Sequence, residues 1–259
     1  MNTNLHPSII FATIICISCG QETKNRNVSE TPKSRTENPR ELFIASGAGY
    51  RKPVNELKAI FERAHGVTVN CVYGNMTQIT SQTKNSGRIS LLIGDKKFLE
   101  NSGLSFIKES RLGKGKLVLV FDQGLGLNTI GEITRPDIDK IILPDAQKAI
   151  YGKAADQALK TLSLYNRVKN KLVIVQTLPQ VVSYLMSGAA KAGFINTADL
   201  LSLDSARFSS IEVAPSSYEP IVIEAALTED ASPDGKLFYE FTQSAAAREV
   251  FAKYGLGLK

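Results

Sequence analysis

From Leu42 onward the hydrophobic period of the chain switches repeatedly between two residues and three to four, and that alternation restricts the fold more than any single motif does. LFIAS, Leu42 to Ser46, reads as a buried strand. A turn, GAGYRK, follows it, and Pro53 opens PVNELKAIFERAHG, where Val54, Leu57, Ile60, Phe61 and Ala64 recur at helical spacing. Pro53 suits a first helical turn and Gly66 suits a stop. VTVNCVY then sets Val67, Val69, Cys71 and Tyr73 on one strand face, which makes Cys71 a small core residue rather than a reactive thiol. Further strands are expected at 88–94, 116–121, 139–143, 171–175, 192–196 and 220–227. Helices are expected at 75–85, 149–164, 179–186, 236–243 and 245–254. Strands and helices taking turns imply an α/β chain with largely parallel sheet, and in such sheets ligands sit at the carboxyl ends of strands.

With 259 residues and 43% hydrophobic content, the chain can bury one large core or two moderate ones. Its formal charge of +6 comes from 31 Lys and Arg scattered among 25 Asp and Glu, with no basic run interleaved with aromatics, so nucleic acid is not an expected partner. Ile9 to Ile17 (IIFATIICI) is too short for a spanning helix, which needs about 20 residues, and has the length of the apolar segment of a secretory signal. Beyond Cys19 the chain turns polar out to Glu41, a composition that cannot repay its ordering entropy. Residues 1–18 are therefore expected to be a signal peptide and 19–41 a flexible tether. Cys16 and Cys19 form a Cys-x-x-Cys pair, but it lies at the exit of an apolar segment rather than at a helix start, and Cys71 and His65 do not complete a zinc ligand set without Cys16. Ser18-Cys19-Gly20 resembles a bacterial lipoprotein signal, which implies acylation at Cys19, with a plain cleaved signal as the alternative.

Catalysis has little to work with. Beyond the leader the chain holds one histidine, His65, at the far end of its helix from the strand-to-helix turn, where it suits a C-terminal helix charge. No nucleophile elbow, phosphate loop or HExxH is present, so no enzyme activity, cofactor or metal site is expected. Three turns suit binding instead. SGAGYRKP (Ser46 to Pro53) and YGNMTQIT (Tyr73 to Thr80) are Gly turns between strand and helix, and PDAQKAIYGKAA (Pro144 to Ala155) is a polar turn into an Ala-rich helix. Amide hydrogens at such helix starts lack intrahelical partners and attract anions. Lys52 stands where a dinucleotide fingerprint needs its third glycine.

These turns lie in blocks that look like the periplasmic molybdate-binding proteins of ABC importers: ASGAGYRKPVNELKAIFERAHGVTV, YGNMTQITSQ, LLIGDKKFLE, GKGKLVLVF, PDAQKAIYGKAADQALKTLSLY, GFIN and AREVFAKYGLGLK, in family order from Leu42 to Lys259. The resemblance implies a type II periplasmic-binding fold, with one lobe at 42–120 plus 221–259, a second at 121–220, and a cleft between them for a tetrahedral oxyanion. It also implies a monomeric extracytoplasmic receptor, anchored through Cys19, that delivers molybdate or tungstate to a membrane permease. Matched by motif, the ligand positions fall on Gly49 beside Ala48, Met76 beside Thr77, Ala149, Leu178 and Asn196. The family's two serines and its tyrosine thus appear as Gly49, Met76 and Asn196. Backbone N–H groups at Gly49, Met76, Ala149 and Leu178 remain as donors, and Ser46, Thr77 or Asn196 can supply replacements. Each uncompensated loss of a hydrogen bond to a charged ligand costs about 1.5–3 kcal/mol. The alternatives are a receptor of the same fold for another anion or organic solute, and a sensor or scaffold at the membrane surface.

Overall fold

The computed structural model describes residues 40–257, so the leader, Cys19 and nearly all of the tether lie outside the described residues. Ten strands follow in chain order: β1 (Glu41–Gly47), β2 (Thr68–Gly74), β3 (Ile89–Asp95), β4 (Phe106–Gly115), β5 (Leu117–Asp122), β6 (Ile141–Pro144), β7 (Leu172–Val175), β8 (Ala192–Asn196), β9 (Phe208–Glu212) and β10 (Ile221–Thr228). Between and after them lie α1 (Arg51–His65), α2 (Met76–Ser86), α3 (Lys96–Glu100), α4 (Ile150–Thr161), α5 (Tyr165–Val168), α6 (Leu178–Met186), α7 (Thr197–Leu200), α8 (Pro233–Thr242) and α9 (Ala245–Lys253). None of these helices is long and apolar enough to cross a membrane.

The strands form two five-stranded sheets, ordered β2-β1-β3-β10-β4 and β7-β6-β8-β5-β9. Each is the floor of one α/β lobe. Pairing is parallel within β2-β1-β3 and within β7-β6-β8, and antiparallel where β10 and β5 join. The sheets are thus mixed rather than largely parallel: β10 returns to the first sheet after the chain has built the second, and it arrives in the opposite sense. The chain passes between sheets at Lys116, between β4 and β5, and again between β9 and β10. At these crossings Leu117 N–H donates to the Tyr218 hydroxyl at 3.1 Å.

Local chemistry explains the element ends. Gly66 closes α1 with φ of 62°, a left-handed conformation that a side chain disfavours. Asn75 caps α2 by accepting from Gln78 N–H at 2.9 Å, while Gln78 Oε1 accepts from Asn75 N–H at 2.9 Å. β3 is buried along its whole length, as a strand covered on both faces must be. β4, absent from the sequence reading, lies at the end of its sheet beside β10 and carries exposed Lys108 and Glu109, the charged dress of an edge strand. α1 packs against α8 and α9, where Phe61 meets Phe238 edge-on at 4.9 Å. Cys71 packs against the core and its thiol is pushed up to about 11 by burial, so it is not a nucleophile at neutral pH.

Asp95 caps α3, accepting from Lys97 N–H at 3.1 Å and Phe98 N–H at 3.3 Å. Burial nevertheless lifts its carboxyl from an ordinary 3.8 to about 6. The folded state therefore holds more protons than the unfolded chain between those values, and this group's contribution to stability is lost as pH rises through the window. Asp95→Asn keeps a capping oxygen and removes the titration. Denaturant unfolding from pH 4 to pH 7 should show the variant gaining stability relative to wild type as pH rises, with the gain levelling off above about pH 6. A constant difference between the two proteins across that range would contradict the assignment.

Candidate functional site

Five strand ends point into one cleft. β1 runs into a 3-10 turn, Ala48–Tyr50, before α1; β2 ends at Gly74 with Asn75 capping α2; β6 leads through Asp145 and Lys148 to α4; β7 leads through Thr177 to α6; and β8 ends at Asn196, the cap of α7. The first two belong to one lobe and the last three to the other. A cavity of about 20 Å³ lies between them, lined by the turn from Gly47 to Tyr50, by Gly74 to Met76, by Ala149 to Tyr151, and by Thr177 and Leu178. Room of that size suits a compact solute of a few atoms.

Of the residues singled out in the sequence, Ala48, Gly49, Met76, Ala149 and Leu178 line this cavity. Thr77 is exposed and lines a separate, outer space, and Ser46 is wholly buried with its hydroxyl directed at Gly47 O, 3.3 Å away. Asn196 lines neither space. Its Nδ2 donates across the cleft to Gly49 O at 2.8 Å and its Oδ1 accepts from Asp199 N–H at 2.7 Å, so both ends of the amide are engaged by protein.

Neighbouring side chains fill the space around Gly49 and Met76. A Cβ on Gly49 would stand 2.5 Å from Leu178 Cδ1 and 2.9 Å from Asn196 Nδ2, so these two side chains occupy the space a larger residue would need. Met76 is buried, and a Cβ on Gly94 would lie 2.4 Å from its methyl carbon; the bare backbone of Gly94 is what admits the thioether. The cavity wall is apolar at both places.

Its polar character comes from amides, and these differ in availability. Met76 N–H donates to Lys148 O at 2.9 Å, across the cleft, and Ala149 N–H donates to Asp145 O at 2.9 Å within its own turn. Among the described residues, no protein acceptor meets the N–H of Gly49 or of Leu178. Two of the four expected amide donors are therefore satisfied internally, because the Lys148 and Asp145 carbonyls come within reach when the turn before α4 folds back.

Two tyrosines that sequence reasoning did not single out complete the site. Tyr50 and Tyr151 face each other across the cleft, hydroxyl to hydroxyl at 2.9 Å, and burial holds both phenols well above their ordinary value, so both stay neutral. The available signal was one tyrosine in each of two helix-start turns. Lys52 of α1 also crosses the cleft, to Asp199 Oδ1 at 3.2 Å. Asp199 Oδ2 is buried with no protein partner, and burial raises this carboxyl's pKa against the opposing pull of Lys52. Behind the cleft, Glu219 joins Lys97 at 2.8 Å and Lys153 at 3.0 Å, which draws its carboxyl down to about 2.

The cavity presents neutral donors and apolar walls, and among the described residues no group of three His, Cys, Asp or Glu is placed to hold a metal ion. The chain is 25% identical over 222 residues to the molybdate-binding protein ModA of Rhodobacter capsulatus, covering 83% of this chain and 87% of that one. The periplasmic molybdate-binding protein of Azotobacter vinelandii superposes with a TM-score of 0.76 at 23% identity, over 84% of this chain and 99% of that one. The sulfate-binding protein SubI of Mycobacterium tuberculosis superposes with a TM-score of 0.70 at 13% identity, over 84% of this chain and 86% of that one. The two likenesses in structure show that the chain shares its two-lobed α/β fold with these two binding proteins. The family model for bacterial extracellular solute-binding proteins matches residues 42–257, and the chain belongs to that family.

Proposed function

We propose that the protein captures a tetrahedral oxyanion, molybdate or tungstate, outside the cytoplasm and passes it to the permease of an ABC importer. One observation carries this reading: helix starts from both lobes converge on a single small cavity with no carboxylate in its lining. Gly49 and Leu178 offer amides at once, and the dipoles of α1, α2, α4 and α6 supply partial positive charge without a counter-ion. Met76 N–H joins them by exchanging Lys148 O for the anion, an exchange favoured because a charged acceptor makes the stronger bond. The solute class follows the Rhodobacter relative named for molybdate.

In this reading the lobes hinge about Lys116 and the segment before β10, and closure on the anion is the whole mechanism; the protein acts as a monomer and catalyses nothing. Export rests on the apolar run from Ile9 to Ile17, and anchoring on the lipoprotein-like Ser18-Cys19-Gly20. Cys19→Ala should move the protein from the membrane fraction to the soluble extracytoplasmic fraction. Retention of the variant on membranes would remove the lipid anchor from the proposal.

Calorimetry with molybdate, tungstate, sulfate and phosphate tests the central reading. Molybdate or tungstate should bind most tightly, and Gly49→Ala, which drives a methyl against Leu178 and Asn196, should weaken that binding tenfold or more, about 1.4 kcal/mol. No binding of any of the four anions by the wild-type protein would defeat the proposal.

A further inference from the structure

Beside the small cavity lies a second, larger space of about 510 Å³ at the cleft mouth. Tyr73, Asn75, Thr77 and Gln82 line it from the first lobe, and Lys148 and Gln176 from the second. Asn75 belongs to both linings, so the two spaces meet at its side chain. There they are separated by a long contact, Asn75 Nδ2 to Gln176 O at 3.4 Å, which is near the limit of a hydrogen bond and readily given up.

The chemistry of the two spaces differs. The inner one is walled by Met76, Leu178, the tyrosine pair and backbone, and it suits a compact charged head. The outer one is lined by carboxamides and hydroxyls and has no carboxylate. Its one cation, Lys148, already faces Asp145 at 3.4 Å. Among the described residues, the side chains of Thr77, Gln82 and Gln176 make no hydrogen bond, so their donors and acceptors remain available at the chamber wall. Tyr73 is engaged differently: its hydroxyl donates to Asn55 Oδ1 at 2.6 Å, and the Arg51 guanidinium covers its ring at 4.2 Å. A lining that both donates and accepts, its one cation paired with Asp145, matches the hydroxyl groups of a short polyol better than an apolar body or a second charge.

The geometry points to a substituted oxyanion as a further ligand of this cleft: a tetrahedral oxyanion with one oxygen esterified to a short hydroxylated chain, its head in the inner cavity and its chain in the outer chamber. This rests on the proposal that the inner cavity takes an oxyanion head, and it extends the ligand class from inorganic anions to small organic esters. The outer chamber adds contacts that a bare anion cannot make, so its contribution appears as selectivity between an ester and its parent anion.

Titration of the full-length protein with inorganic phosphate, molybdate, glycerol 3-phosphate and glucose 1-phosphate separates the two readings. One of the esters should bind at least tenfold more tightly than inorganic phosphate. Gln82→Ala with Gln176→Ala should reduce that advantage tenfold while leaving molybdate binding unchanged. Gln82 lies on the exposed face of α2, where alanine favours the helix, so the fold is retained. Binding of molybdate with no preference for either ester overturns the outer chamber and leaves the inner site standing. An ester preference indifferent to both substitutions also overturns it, by placing the chain elsewhere. Failure of all four ligands overturns both readings together.

Discussion

An amide hydrogen at the start of a helix has no partner in its own helix, and burying it without an acceptor costs about 1–3 kcal/mol. This cleft gathers such amides from both lobes, and each one meets a protein carbonyl or faces the cavity. Met76 and Ala149 take the first course, through Lys148 O and Asp145 O, and Gly49 and Leu178 the second. In the proposed reading the division makes the site graded: two donors are ready, and a third becomes available when one inter-lobe bond is exchanged.

That exchange links recognition to movement. The lobes touch through Met76 to Lys148, Asn75 to Gln176, Asn196 to Gly49, Tyr50 to Tyr151 and Lys52 to Asp199. A neutral hydrogen bond contributes only about 0.5–1.5 kcal/mol net, so the four neutral contacts among these are each modest. A solute shifts the balance between open and closed forms only by what it adds to the closed form over the open one. In the proposed reading an anion held by Gly49 on one lobe and Leu178 on the other meets that condition, because the two amides belong to different lobes. The Lys52–Asp199 ion pair carries an orphaned carboxylate oxygen, Asp199 Oδ2, and it fixes alignment more than it adds stability.

Much of the fold was legible from local pattern. β8 occupies the residues its apolar run marked, and α2 starts where Asn75 offers a cap and Gln78 completes the box. β4 was not legible because its alternation is buried under Lys108, Glu109 and Arg111, side chains that serve an edge rather than a core. Mixed pairing was equally hidden, since the sense of β10 depends on a return across more than a hundred residues.

The site divides in the same way. Glycine turns and helix starts are written locally, and they brought Ala48, Gly49, Met76, Ala149 and Leu178 to one cavity. The fate of the individual groups is set by distant partners. That Asn196 spends its amide on Gly49, that Leu178 covers the missing Cβ of Gly49, and that Gly94 admits Met76 are facts of packing between segments far apart in sequence. The tyrosine pair is of this kind too, because neither phenol has meaning until the other is placed opposite it.

Amide proton and nitrogen shifts, followed by NMR as molybdate is added, examine the helix-start amides most directly. If they hold the anion, the Gly49 and Leu178 signals move strongly downfield, the Met76 signal follows as it leaves Lys148, and the amide of Ala149 shifts least. Binding that left Gly49 and Leu178 in place while other amides moved would contradict that arrangement.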